Sequence, residues 1–164
     1  MGIGKSLLIL ALVLPTFQSH AFAEVPMACE MISASEKRSF ELDGTYQGQV
    51  SETLKLSLIQ NQKSVSLEFS DSSPSWQGYS EVYLATCDLS LNCSGSTRLL
   101  KGSEVKKQRT ITWLPLTYGL GKIGDRDVFQ FHRLLKGFSF RFFQTDNPDE
   151  KIQGVLIECH EAAK

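Results

Sequence analysis

Gly119-Leu120-Gly121-Lys122-Ile123-Gly124 has the spacing G-x-G-x-x-G, which serves dinucleotide chemistry when a helix begins inside it and aims its N-terminus at a pyrophosphate. Here Asp125-Arg126-Asp127 leads straight into the alternating run Val128-Phe129-Gln130-Phe131, so no helix follows the glycines. The segment reads as a long glycine-rich hairpin loop, and Lys122 on it as a candidate partner contact at a rim. Cys159 and His160 are neighbours, but successive side chains on a strand point to opposite faces, so they cannot share a proton. Beyond the leader only His132 and His160 remain, too few for a zinc site once the cysteines are used elsewhere. No serine sits in a G-x-S-x-G elbow, and the carboxylates of Asp146 to Glu150 lie in a solvated turn that gives their acidity nothing to shift it. These residues supply no catalytic constellation, no metal centre and no cofactor site; the expectation is a binding protein, not an enzyme.

The four cysteines, Cys29, Cys87, Cys93 and Cys159, take their meaning from the first 23 residues. Lys5, the apolar run Leu7 to Leu14 and Ala21-Phe22-Ala23 form the pattern of an export signal cut after Ala23. The apolar run is shorter than the roughly 20 residues a membrane span requires, and no later stretch is long and uncharged enough to be one. The mature protein is therefore expected in a periplasm or outside the cell, where an even number of cysteines argues for disulfides. Three pairings are possible. The short loop Asp88 to Asn92 favours Cys87 with Cys93, which leaves Cys29 with Cys159.

The leader takes one lysine and no acid with it, so 16 basic and 18 acidic side chains remain, a net charge of about −2 that gives no reason to expect nucleic acid. The charges are uneven. Arg98, Lys101, Lys106, Lys107 and Arg109 accompany one acid, Glu104, and read either as solvated turns or as a basic patch for an anionic partner.

These residues are positioned by strands. Leu54-Lys55-Leu56-Ser57-Leu58 and Val65-Ser66-Leu67-Glu68-Phe69 alternate with period two around a polar turn, which predicts an antiparallel hairpin. Further strands are predicted at 44–50, 81–86, 97–101, 109–118, 128–132, 138–143 and 152–159, about nine in all. Only 29–38 reads as a short helix. Residues 24–40 form an N-terminal segment tied by a disulfide, and 41–164 a single β domain. The spacers leave no room for βαβ crossovers, so the fold class is all-β, a mostly antiparallel meander. A small barrel is preferred over a sandwich, because the order reads as successive hairpins. Gly44-Thr45-Tyr46 resembles the Gly-x-Trp opening of lipocalin-like (calycin) barrels, with tyrosine in place of tryptophan. That resemblance implies a cup-shaped barrel with an internal ligand site.

Two functional expectations follow. Phe138, Phe140 and Phe142 line one face of a strand and Phe129 and Phe131 one face of its neighbour; they are core packing or the lumen wall of a carrier for a small apolar ligand. Trp76 and Tyr79, set among turn residues, are contacts for a protein partner or caps on the core. The carrier is the first expectation. The alternative is a protein-binding module, such as an inhibitor of an extracellular or periplasmic enzyme, that uses these loops.

Overall fold

The structure is a computed structural model that describes residues 26–34, 36–72, 76–144 and 153–162. The expected leader and the Asp146 to Glu150 turn lie outside the described residues. Thirteen strands form two antiparallel sheets, and there is no α-helix among the described residues. β1 (Met27–Ile32) and β2 (Lys37–Leu42) stand with β13 (Gln153–Glu161), β12 (Gly137–Gln144), β11 (Arg126–Leu134), β10 (Gly119–Ile123) and β9 (Thr112–Pro115) in a seven-stranded sheet, ordered β2-β1-β13-β12-β11-β10-β9. The six-stranded sheet runs in chain order through β3 (Thr45–Gln49), β4 (Leu54–Gln60), β5 (Ser64–Asp71), β6 (Tyr79–Asp88), β7 (Cys93–Lys101) and β8 (Glu104–Thr110).

Spatial order follows chain order, and the last strand returns to pair with the first, but the ladder is not closed into the expected barrel. It breaks at two corners. At the first, Gly44 (φ +71°) lets β3 leave β2, Phe40 stacks on Tyr46 with ring centroids 3.8 Å apart, and Arg38 Nη1 donates to the Gln49 carbonyl at 2.9 Å across the gap. At the second, one extended stretch bends at buried Ile111. Its first half pairs with β7, the Ile111 amide still donates to Gly95 at 3.0 Å, and its second half pairs with β10.

Two local expectations are corrected. The proposed helix at 29–38 is β1 and the start of β2: Met27, Cys29 and Met31 are buried and alternate with exposed Ala28, Glu30 and Ile32. Pairing on both sides, to β2 and to β13, overrides the helix propensity of Met, Ala and Glu. The glycine-rich loop is β10. A Cβ on Gly119 would stand 2.8 Å from Cys93 Sγ and one on Gly121 2.9 Å from Ile111 Cγ2, so these glycines admit close packing at the corner; only Gly124 (φ +60°) serves a turn.

The inner faces bury Leu54, Leu56, Leu58, Val65, Leu67 and Phe69 from one sheet against Met27, Met31, Val155, Ile157 and five phenylalanines from the other. Each such side chain contributes roughly 1.5–3 kcal/mol by leaving water. Cys29 is bonded to Cys159 and Cys87 to Cys93, the pairs that loop length favours; each pair faces across adjacent strands with α-carbons 4.1 Å apart.

Candidate functional site

The five phenylalanines come together as anticipated, and each is at most 1 % exposed. Phe129 pairs with Phe142 and Phe131 with Phe140 across β11 and β12, with ring centroids 5.3 and 4.8 Å apart. From the opposite sheet, Phe69 stacks on Phe142 at 4.2 Å and Tyr83 meets it edge-on at 5.0 Å. Rings of the two sheets are therefore in contact, and at this level the space between the sheets is filled by the protein's own side chains.

A polar group that the sequence reading missed closes one end of this core. Asp71 follows Val65, Leu67 and Phe69 on the inward parity of β5 and is buried. Gln144 Nε2 donates to its Oδ2 at 2.6 Å, whereas its Oδ1 is buried with no hydrogen-bond partner. On the adjacent strand β6, Tyr83 is flanked by Glu81 and Arg126. Burial first, then the Glu81 carboxylate, holds its hydroxyl well above a tyrosine's ordinary range, with Arg126 opposing. The signal for Asp71 was present in the sequence as an acid at an inward position of an alternating strand.

The residues weighed for chemistry are apart. Cys159 is in a disulfide, and His160 lies exposed on the other face, 2.7 Å from Glu158. His132 stacks under Tyr118 at 4.7 Å between ring centroids; burial, and next the Arg141 guanidinium, push its pKa below the ordinary value. No group of three His, Cys, Asp or Glu side chains that could hold a metal ion occurs among the described residues.

The strongest feature outside the core is β8. It is the edge of the six-stranded sheet, and all seven of its residues are exposed. The register explains this. Inner-face rows run Phe69, Tyr83, Thr97, Arg109 and Asp71, Glu81, Leu99, Lys107, so β8 extends the inward pattern past the last buried position. A bulge opposite Leu99 and Leu100 puts Lys106 into the strand as an extra residue. Lys106 pairs with Glu104, while Lys107 and Arg109 have no ion pair among the described residues.

Of the loop residues, Tyr79 is brought to this hairpin: Lys101 Nζ lies 5.4 Å from its ring centroid, and the Gly102 amide donates to Gly78 at 3.2 Å. Trp76, partly buried, precedes it through Gln77 and Gly78, both at positive φ. Lys122 is on the other sheet, paired with Asp127 at 3.2 Å. The Cys87 to Cys93 loop is tightly held. Burial pushes the Asp88 carboxyl up, but hydrogen bonds from Asn92 and Ser90 outweigh it and keep its pKa below the usual value.

The two disulfides suit an oxidising, extracellular environment, and no helix among the described residues is long and apolar enough to cross a membrane. Compared with protein-family models, with curated proteins and with solved structures, the chain matches none of them.

Proposed function

We propose that this protein is an exported, non-catalytic binding module that captures an acidic, extended segment of a partner protein along β8. The observation that carries the reading is a strand that buries neither face. Ordering a residue costs about 1–2 kcal/mol of backbone entropy, and β8 recovers none of it from the core. An edge strand offers free amides and carbonyls to an added strand, and Lys107 and Arg109 would meet acidic side chains on one of its faces. Lysines also protect edges against aggregation. Selection for acidic over basic partners separates the two roles. The carrier expectation draws less support, because the five phenylalanines are engaged ring to ring with each other and with the facing sheet.

The test uses two extended probe peptides, (Glu-Val)4 and (Lys-Val)4, against the mature protein and its K106E/K107E/R109E variant. The expected result is salt-sensitive binding of the glutamate peptide only, weakened at least tenfold by the variant, whose melting temperature is unchanged. Each exposed ion pair is worth roughly 0.2–1 kcal/mol, and three reversed charges reach that factor. Equal binding of both peptides, or an unaffected variant, refutes the reading. Native mass spectrometry of protein purified from its own secretory compartment supplies the second check. A stoichiometric small-molecule adduct there would return the function to the interior.

A further inference from the structure

We infer that the outer face of the seven-stranded sheet carries a second site, a groove centred on Arg141 that takes a carboxylate flanked by apolar side chains, presented by a segment of a partner protein. In register across five strands, this face reads Leu120, Gln130, Arg141, Leu156, Ile32. Two shallow depressions meet at Arg141 and Leu156. One is lined by Ile32, Ala34, Phe143 and Gly154; the other by Gln130, His132, Leu134 and Ser139. The small residues Gly154 and Ser139 lower the floor, and Ile32, Phe143 and Leu134 supply apolar walls.

Charge selects the occupant. Two acids on this face are taken, Glu158 at 2.7 Å from His160 and Glu30 at 2.9 Å from Lys37, while Glu41 on β2 stands opposite Ala28 and lines neither depression. Arg141 is exposed, its guanidinium 5.8 Å from the Phe143 ring centroid, and it has no ion pair among the described residues. A guanidinium steadied by an aromatic ring and bordered by aliphatic side chains is the arrangement that receives a carboxylate through two parallel hydrogen bonds. His132 adds no competing charge near neutral pH, because burial and Arg141 favour its neutral form. The depressions are open and lie on both sides of the arginine, which suits a segment crossing the strands with an apolar residue on either side of an acid. A free fatty acid would need an enclosure that buries most of its chain.

The site is remote in sequence from β8 and is tested separately from it. Amide shifts of the isotopically labelled mature protein are followed during titration with acetyl-Leu-Ser-Glu-Ser-Leu-amide, with its glutamine counterpart and with decanoate. The expected result is saturable shifts in the millimolar range confined to Ile32, Gln130, His132, Arg141 and Leu156. Affinity should fall at least tenfold for the glutamine peptide and for R141Q, with R141K intermediate and both variants keeping the dispersion of the wild-type spectrum. Absence of saturable shifts up to about 10 mM, equal response to the two peptides, or binding unaffected by R141Q overturns the site. Tighter binding of decanoate than of the peptide at the same residues overturns the protein partner in favour of a lipid acid. K106E/K107E/R109E should keep the pentapeptide's shifts at Ile32, Gln130, His132, Arg141 and Leu156, so either surface can fail without the other.

Discussion

Removing the two disulfides separately should have unequal consequences, set by the lengths of chain they close. Cys29 and Cys159 are 130 residues apart, and Cys87 and Cys93 are 6 apart. Loop-closure entropy assigns the long bridge about 5 kcal/mol and the short one about 2 kcal/mol. The constant part cancels in the comparison and leaves a difference of about 3 kcal/mol from the logarithm of the length ratio. C29A/C159A should still fold, because β1 keeps its ladder to β2 on one side and to β13 on the other. Far-UV circular dichroism identical to the wild type would establish that. Urea unfolding at 25 °C of C29A/C159A and C87A/C93A then yields the two losses, and melting temperatures should differ by on the order of 10 °C. Equal losses, or a larger loss for the short bridge, would refute the argument that these bridges act by restricting the unfolded chain.

Gln144→Leu should destabilise by about 1–3 kcal/mol in urea unfolding, since the buried Asp71 carboxylate would lose its observed donor; a neutral result would mean that Asp71 is solvated. Gly119→Ala should cost about 1–3 kcal/mol, because its Cβ would meet Cys93 Sγ at 2.8 Å, and equal stability of the variant would contradict that packing. Tyr83 has a folded-state pKa raised above a tyrosine's ordinary value of 10.0, so above about pH 10 the unfolded chain releases a proton that the folded one keeps. Stability should therefore fall as pH rises through that range, and Tyr83→Phe should flatten part of the slope; an unchanged slope would remove the linkage.

The elements read correctly from sequence are those whose partners are close in the chain. The alternation of Leu54 to Leu58 and Val65 to Phe69 fixes both faces and the turn between them, and the structure pairs Leu58 with Leu67 in that hairpin. Phe129 to Phe131 and Phe138 to Phe142 are equally legible, for the same reason. What was hidden depends on distant chain. Met27 to Ile32 is a strand because Leu156 to Glu161 lies beside it. The stretch 109–118 reads as one strand because both halves are extended; its change of sheet at Ile111 is dictated by β7 on one side and β10 on the other. β8 has no alternation to detect, since neither of its faces is buried. Its signal was compositional, five cations around Glu104, and composition does not say that Lys106, Lys107 and Arg109 share an edge while Arg98 and Lys101 stand on β7.

The pairing of the first strand with the last imposes an order of events on synthesis. A chain delivered N-terminus first exposes Cys29 long before Cys159, and the next thiols to emerge are Cys87 and Cys93. Oxidation by order of appearance would join Cys29 to Cys87, a non-native link. The β6–β7 hairpin counters this. Asp88 accepts hydrogen bonds from Ser90 and Asn92, holding a local turn that closes in about 1–10 μs and engages Cys87 with Cys93 while the C-terminal strand is still missing. The second disulfide then becomes a completion signal, since it forms only when the final strand has arrived. Acid-trapped intermediates in oxidative refolding should therefore contain the Cys87–Cys93 bond first; early accumulation of Cys29–Cys87 would mean that the turn does not set the order.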